Sequence, residues 1–141
     1  MTTASFSRVF EIHGGDLANA GRVSTEIKDL LKRMGISPEF VRRVAIVSYE
    51  AEMNVVMYAQ HAVLALTVTP SAVLLDVADE GPGIPDVDLA MQEGWSTATP
   101  EIREMGFGAG MGLPNIKRNS DVFSLDSIVG LGTRLSIRVN V

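Results

Sequence analysis

The chain has 141 residues, of which 46% are hydrophobic and 21% are charged, with a formal net charge of −5. This balance is typical of a folded globular domain and excludes an intrinsically disordered chain. The acidic charge argues against a nucleic-acid partner, and the lack of cysteine excludes disulfides and thiolate metal sites. The N-terminus shows no signal-peptide pattern, and the longest apolar runs are too short to span a membrane. We therefore expect one cytoplasmic domain over residues 1–141, with no nucleic-acid or membrane partner.

The first half of the chain is predicted to contain one strand followed by two helices. Alternating apolar residues predict a strand over residues 6–12, which ends at a pair of glycines. Apolar residues at helical spacing predict a helix over residues 16–34, with Asp16 as its N-cap. A serine followed by a proline is typical of an N-cap and a first helical position, so we expect a second helix over about residues 39–60.

The second half is predicted to contain two β-hairpins. Apolar stretches at residues 62–69 and 72–78 are separated by a Thr-Pro-Ser turn signal. A second pair of strands is expected over residues 122–128 and 133–139, around a Gly-Leu-Gly turn. The resulting order of elements predicts an α/β (α+β) two-layer sandwich, in which helices cover one face of a mostly antiparallel sheet.

A long glycine-rich and proline-rich segment, residues 79–112, lies between the two hairpins. It is predicted to contain one short helix near residues 86–92, and another helix starts after it at Pro114. Loops of this length are uncommon in compact domains unless they are functional. We expect residues 86–110 to form a mobile lid.

One stripe of the second predicted helix carries a carboxylate and an amide. Glu50 and Asn54 are four residues apart and project from the same face of a helix. One interpretation is that both side chains simply face water. However, residues 44–59 are apolar on nearly every side of the helix, and polar groups in such surroundings need partners. An asparagine oxygen can ligate Mg²⁺, and a glutamate one turn earlier can position or deprotonate an attacking hydroxyl.

A second polar group, Asp79, follows the first hairpin and precedes Gly81 and Gly83. The run could form only a tight turn, which aspartate, proline and glycine favour. Alternatively, the carboxylate could accept a hydrogen bond from an exocyclic amine while the glycines let a flat base lie against bare backbone. Both interpretations remain open from these residues alone.

Alternating glycines at residues 106–112 lead into the helix that starts near Pro114. Glycines before a helix present free backbone N–H groups to an anion. The run lacks the Gly-Lys-Ser/Thr ending of the Walker loop, and its spacing does not fit the dinucleotide fingerprint. A flexible linker is the alternative interpretation. Residues 130–133, with the sequence Gly-Leu-Gly-Thr, could likewise form only a hairpin turn.

Together these elements resemble the motifs of the GHKL ATPases, a superfamily that includes gyrase, Hsp90, MutL and the histidine kinases. The N box is matched by Glu50-x-x-x-Asn54 and the G1 box by Asp79-x-Gly81-x-Gly83. The G2 box is matched by Gly108-x-Gly110-x-Gly112-Leu113 and the final Gly-x-Gly-Thr motif by Gly130-x-Gly132-Thr133. Each motif is weak alone, but four in the family's order are a specific signal. The resemblance covers essentially the whole chain and implies the Bergerat ATP-binding fold.

The resemblance implies a role for each matched residue. Asp79 would bind the adenine amine with help from Thr133, Asn54 would hold Mg²⁺, and Glu50 would be the general base. Arg103 is the only cation of the lid residues 96–105 and would reach the γ-phosphate, its alternative being a solvated loop arginine. The other nucleotide-binding residues implied are Gly81, Gly83, Ile84, Ser96, Thr97, Gly108, Gly110, Met111, Gly112 and Leu113.

Within the superfamily, the stretches at residues 90–97 and 113–118 make the sequence look most like the small bacterial serine kinases that act as anti-sigma factors or stress-signalling switch proteins. The resemblance implies an ATP- and Mg²⁺-dependent serine/threonine-protein kinase that phosphorylates a small antagonist (anti-anti-sigma-like) protein. A sigma factor or a phosphatase is a further implied partner, and a homodimer is an alternative to a monomer. The rival hypothesis is a nucleotide-gated anti-sigma or switch binding module with little or no kinase activity. Glu52, a second acid inside the N box, departs from the family pattern.

Overall fold

The computed structural model describes residues 5–92 and 112–141. The strands in these ranges are β1 Phe6–His13, β2 His61–Val68, β3 Ala72–Glu80, β4 Val122–Ile128 and β5 Gly132–Asn140. The helices are α1 Arg22–Arg33, α2 Pro38–Tyr58, α3 Val87–Ala90 and α4 Gly112–Arg118, with a 3-10 turn at Leu17–Asn19. The order of these elements is the predicted one.

The strands form an antiparallel sheet in the order β1-β2-β3-β5-β4. Both predicted hairpins are present, since Val68 pairs with Val73 in the first and Ile128 pairs with Gly132 in the second. β3 is the central strand, and Asp79 stands next to its C-terminal residue. The Asp79 carboxylate therefore lies at one end of the middle strand of the sheet.

One face of the sheet carries the hydrophobic core. Alternate residues of β2 are buried there, among them Leu64 and Leu66, which are fully buried. α2 lies over this face and packs against both α1 and α4. The opposite face carries polar pairs such as Asp76 with Arg134. The predicted two-layer α+β sandwich is thus confirmed.

The first helix begins later than predicted, at Arg22 rather than at Asp16. Gly21 has a φ of +93°, a left-handed conformation that separates the 3-10 turn from the helix. The Asp16 carboxylate accepts a hydrogen bond from Asn19 Nδ2 at 3.0 Å instead of capping an α-helix. The predicted helix over residues 16–34 is therefore a short turn followed by α1.

The start of α1 is fixed by Glu52, which lies on α2. Glu52 is only 2% exposed, and its carboxylate accepts hydrogen bonds from the main-chain nitrogens of Gly21, Val23 and Ser24 at 3.0–3.2 Å. A carboxylate at a helix N-terminus satisfies donors that have no partner within the helix and interacts favourably with the helix dipole. The second acid of the N box is thus a helix cap supplied from a distant part of the chain.

The second helix follows the prediction but ends at Tyr58, because the next residues join the sheet. The main-chain nitrogen of Gln60 donates to the oxygen of Glu80 at 2.8 Å, and that of Gly14 donates to the oxygen of Gln60 at 2.8 Å. α3 is shorter than predicted, and α4 already includes Gly112, two residues before the predicted start at Pro114.

Most of the lid expected over residues 86–110 lies outside the described residues. The predicted site residues that also lie outside them are Ser96, Thr97, Arg103, Gly108, Gly110 and Met111. No helix within residues 5–92 and 112–141 combines the length and apolarity needed to cross a membrane.

Candidate functional site

Glu50 and Asn54 lie on the side of α2 that faces the start of α4. Both side chains are half-buried, as their apolar surroundings predicted. Gly112, the first described residue of α4, packs against them: a Cβ atom there would lie 3.2 Å from Asn54 Oδ1 and 3.3 Å from Glu50 Oε2. The last glycine of the G2 box and the two N-box residues are therefore brought together, and this helix stripe is not an open solvated surface.

Asn115, to which no role was assigned from the sequence, holds Glu50 from the next turn of α4. Its side-chain amide donates a hydrogen bond to the Glu50 carboxylate. Its own Oδ1 accepts a hydrogen bond from Arg118 Nη1 at 3.2 Å, which leaves Nδ2 as the donor to Glu50. Asn115 lies three residues after Gly112, on the same face of α4, and this spacing is the signal that could have identified it.

The surroundings of Glu50 alter its affinity for protons. Burial raises the pKa of the Glu50 carboxyl above its ordinary value, and the hydrogen bond from Asn115 offsets part of that rise. A carboxylate with a raised pKa is a stronger base than a water-exposed glutamate. The arrangement suits a group that accepts a proton from a substrate hydroxyl.

Asp79 is held in place by the neighbouring strand β5. Its Oδ1 accepts a hydrogen bond from the main-chain nitrogen of Thr133 at 3.0 Å. Burial raises the pKa of the half-buried Asp79 carboxyl, and the hydrogen bond from Thr133 lowers it in part. The structure thus brings the G1 aspartate and the Gly-x-Gly-Thr threonine together, with the carboxylate oriented by a strand rather than by a loop.

Two glycines allow the G1 box to lie directly on the β4–β5 turn. At Gly132, where φ is +153°, a Cβ atom would lie 2.0 Å from the main-chain oxygen of Asp79. At Gly83, where φ is +76°, a Cβ atom would lie 2.5 Å from the main-chain oxygen of Ile128. Both the backbone conformation and the space therefore require glycine. The Gly-Leu-Gly-Thr segment does more than close a hairpin, because it packs against the G1 box.

Ser127 links the G1 box to β5, although no sequence motif includes it. Its Oγ accepts a hydrogen bond from the main-chain nitrogen of Ile84 at 2.7 Å and lies 2.9 Å from Thr133 Oγ1. It lies on the same, more buried face of β4 as Phe123 and Leu125, because alternate residues of a strand share a face. A serine in an inward row of large apolar residues is the signal that could have identified it.

Two further predicted residues are placed by the structure. The main-chain nitrogen of Gly81 donates to the oxygen of Leu131 at 3.2 Å, which ties the G1 box to the second hairpin. Leu113 is half-buried and packs against the hydrophobic core. Its described contacts are therefore those of a residue that anchors α4.

The described site consists of two groups of residues joined by α2. The N-box cluster, which offers a carboxylate and an amide oxygen, is Glu50, Asn54, Gly112 and Asn115. The G1 cluster, which offers one oriented carboxylate beside glycine backbone, is Asp79, Gly81, Gly83, Ile84, Ser127 and Thr133. The end of α2 touches the second group, because a Cβ atom at Gly81 would lie 3.1 Å from Ala59 Cα.

The chain is similar in sequence to known proteins. Residues 15–139 match the family described as histidine kinase-like ATPase domain. Serine/threonine-protein kinase RsbT of Bacillus subtilis (strain 168) is 30% identical over 112 residues, which cover 77% of this chain and 78% of RsbT. A solved histidine kinase domain from the Erythrobacter litoralis EL346 blue-light activated histidine kinase matches 85% of this chain with a TM-score of 0.46 and 13% identity, and the match covers 60% of that domain. Because the family match spans most of the chain and the match to RsbT spans more than two thirds of both proteins, the chain belongs to the histidine kinase-like ATPase domain family, in the RsbT-like branch of the GHKL superfamily.

Proposed function

We propose that this chain is an ATP- and Mg²⁺-dependent serine/threonine-protein kinase of the anti-sigma or switch type, which phosphorylates a small antagonist protein. The observation that carries this proposal is the packing of Glu50 and Asn54 against Gly112, with Asn115 bonded to Glu50. Nucleotide binding alone needs no base, whereas a half-buried carboxylate with a raised pKa provides one. The similarity to RsbT, which is named as a serine/threonine-protein kinase, supports the same activity.

In this proposal the G1 cluster binds the adenine. The Asp79 carboxylate accepts a hydrogen bond from the exocyclic amine, and the main-chain nitrogen of Thr133 holds the carboxylate in position. Ser127 fixes the main chain at Ile84, so the glycine-rich backbone offers a flat surface to the base. The strands of the sheet thus build the nucleotide pocket at one end.

Asn54 is the described residue that would hold Mg²⁺. Its Oδ1 faces the start of α4, in a space that a side chain at position 112 would fill. An amide oxygen is a hard ligand of the kind that Mg²⁺ prefers, with phosphates and water completing the coordination. The donor set therefore fits the ion. When bound, Mg²⁺ neutralises charge on the phosphates.

The transfer reaction moves one phosphoryl group to a hydroxyl. The acceptor oxygen bonds to the γ-phosphorus, its proton passes to the Glu50 carboxylate, and the bond between the γ-phosphorus and the bridging oxygen breaks to release ADP. Asn115 keeps the Glu50 carboxylate oriented toward α4. The same proposal includes phosphate contacts by residues that lie outside the described ranges: Ser96, Thr97, Arg103, Gly108, Gly110 and Met111.

The partners and the setting belong to the same proposal. The acceptor is an antagonist protein with a target serine or threonine, and a sigma factor or a phosphatase is a second partner. Residues 1–141 form a single cytoplasmic domain that acts alone or as a homodimer. The partner assignments follow from the resemblance to anti-sigma and switch kinases.

A phosphotransfer assay tests the proposal. The chain is mixed with [γ-³²P]ATP, Mg²⁺ and purified antagonist-like proteins encoded near its gene. We expect label on a serine or threonine of one of them. Glu50→Gln should lower transfer by roughly 10²–10⁴-fold, because a general base is lost, and should leave ATP affinity nearly unchanged. The matched control is Glu39→Gln, which removes an exposed acid at the start of the same helix.

Two results would count against the proposal. Transfer by Glu50→Gln within about threefold of the wild-type rate would remove Glu50 from the role of base, since a lost base has a much larger effect. Tight ATP binding by the wild type with no transfer to any of these proteins would support the nucleotide-gated binding module instead.

A further inference from the structure

An open groove of about 630 Å³ runs between α1 and α2 and reaches Glu50. α1 contributes Lys28 and Lys32 to its wall, and α2 contributes Arg42 and Tyr49. Most of the groove surface is apolar, and its lining includes one acid, Glu50 itself. The groove therefore borders the N-box cluster at Glu50.

The basic side chains of the groove form no ion pair with an acidic side chain among the described residues. The arginines at positions 8, 22, 43 and 134 each form an ion pair with an acidic side chain. Lys28, Lys32 and Arg42 form none with any residue in the ranges 5–92 and 112–141. The chain as a whole carries a net charge of −5, so this local group of three cations, which have no acidic partner in the described ranges, is a marked departure from its average. Such a group attracts an acidic partner.

The apolar part of the groove is suited to a protein rather than to a small ion. Tyr49 is 39% exposed, and Ile46 beside it is only half-buried. Aromatic residues with one accessible face are enriched at the centres of protein–protein interfaces, where they supply contact area at low entropic cost. Cations at the rim around an apolar floor are the usual anatomy of such an interface.

Glu50 belongs to both the groove and the nucleotide side of the site. Its Oε2 lies against Gly112 of α4, while the same residue is part of the groove lining. An acceptor hydroxyl must approach this carboxylate from a direction that the nucleotide does not occupy. The groove, which Glu50 also lines, is open to the protein surface.

We propose that the groove receives an acidic, partly apolar segment of the acceptor protein and leads its hydroxyl group to Glu50. This inference rests on the proposed kinase function. The rim cations hold acidic side chains of the segment, and the apolar floor around Tyr49 holds its apolar residues. The target serine or threonine lies at the Glu50 end of the bound segment.

The first test measures binding without any transfer reaction. Two synthetic 15-residue peptides share one serine and the same leucines, and differ only in carrying glutamate or lysine at the remaining positions. Each is titrated into the ¹⁵N-labelled full chain and followed by NMR. We expect the glutamate peptide to shift the amide signals of Lys28, Lys32, Arg42 and Tyr49, and the lysine peptide to leave them unchanged.

A pair of charge-matched variants locates the binding site. Lys28→Gln/Lys32→Gln removes two groove cations, and Arg134→Gln/Arg138→Gln removes two exposed cations from the outer face of β5. The first variant should weaken binding of the glutamate peptide by roughly tenfold, because two charge contacts are lost, while the second should change it by less than about twofold. Thermal melting verifies that both variants are folded.

The second test uses the phosphotransfer assay and separates this inference from the kinase proposal. With an acceptor protein that is phosphorylated, Lys28→Gln/Lys32→Gln should raise KM for the acceptor roughly tenfold and leave kcat and ATP affinity unchanged. Peptide binding in the groove without transfer to any protein would support the groove and overturn the kinase proposal. Equal effects of the two double variants, or peptide-induced shifts confined to other parts of the chain, would overturn the groove assignment.

Discussion

The Glu52 carboxylate on α2 accepts a hydrogen bond from the main-chain nitrogen of Ser24, in the first turn of α1, at 3.0 Å. Glu50, two residues earlier, points instead toward Gly112 at the start of α4. Residues two apart on a helix project in nearly opposite directions, so one helix presents acids to both of its helical neighbours. Glu52 serves the packing of the helices, which leaves Glu50 as the acid of the N-box cluster.

The role of Glu52 predicts a large loss of stability when its carboxylate is removed. Glu52→Ala leaves three buried or half-buried main-chain donors without their acceptor, which should lower the free energy of unfolding by on the order of 3 kcal/mol. The matched control, Glu39→Ala, removes an exposed acid from the first turn of the same helix and should lower it by less than about 1 kcal/mol, the usual contribution of an acid to the helix dipole. Urea unfolding followed by circular dichroism measures both. Similar values for the two variants would show that Glu52 does not cap α1.

Asp79→Asn should weaken ATP binding without unfolding the chain. The asparagine amide can face the adenine amine donor to donor, which leaves buried groups unpaired at a cost of roughly 1–3 kcal/mol of binding free energy. Asp76→Asn is the matched control, because Asp76 lies on the same strand and pairs with Arg134 on the opposite face of the sheet. Isothermal titration calorimetry gives both affinities. An unchanged affinity in a folded Asp79→Asn chain would remove Asp79 from the nucleotide site.

Alanine substitutions at two glycines of the same turn distinguish the cost of backbone strain from the cost of a steric clash. Gly130 has a φ of +84° and open space around it, so Gly130→Ala should lower the free energy of unfolding by only about 1 kcal/mol. Gly132→Ala should lower it by about 1–3 kcal/mol more, because its Cβ atom would overlap the main-chain oxygen of Asp79. Only the second variant should also weaken ATP binding, since it displaces Asp79. Equal ATP affinities in the two folded variants would contradict this contact.

Local patterns predicted much of the fold because they depend on residues close together in the sequence. The period-2 alternation and turn residues around Pro70 specify the first hairpin, and the Ser-Pro pair at residue 37 specifies the start of α2. The start of α1 could not be predicted in this way, because its cap, Glu52, is supplied from a different helix. Asp16 had the right residue type for a cap but faces a 3-10 turn.

Some residues of the candidate site could likewise be predicted from local spacing, and others could not. Motif spacing identified Glu50 and Asp79, because the family arranges these residues at fixed intervals along the chain. Asn115 and Ser127 were missed because they act through contacts that form only when α4 meets α2 and when β4 meets the G1 box. Such contacts join residues more than 40 positions apart, and local sequence periodicity carries no information about pairs at that distance.

The raised pKa of Glu50 predicts a pH-dependent effect on stability. Because the pKa of this carboxyl is higher in the folded chain than its ordinary value of 4.5, the folded chain binds more protons than the unfolded chain between these two values. The stability contributed by protonated Glu50 is therefore lost as the pH rises through that window. A glutamine at position 50 does not titrate, so the Glu50→Gln variant lacks this loss. The free energy of unfolding of the variant minus that of the wild type should therefore be more positive at pH 7 than at pH 4. Urea unfolding at both pH values measures this difference, and a larger value at pH 4 would contradict the assignment.

Asn115 should control the pH at which Glu50 becomes an effective base. Its hydrogen bond lowers the pKa of Glu50, so Asn115→Ala should raise that pKa further and move the acidic limb of the phosphotransfer rate profile to higher pH. Asn115→Asp should move it further still, because a second carboxylate beside Glu50 disfavours ionisation. At a pH well above the acidic limb, Glu50 is ionised in every variant, and the Ala variant should approach the wild-type rate. Lys117→Ala, an exposed change on the same helix, should leave the profile in place. A uniform loss of rate at every pH, with no displacement of the limb, would show that Asn115 supports α4 without acting on Glu50.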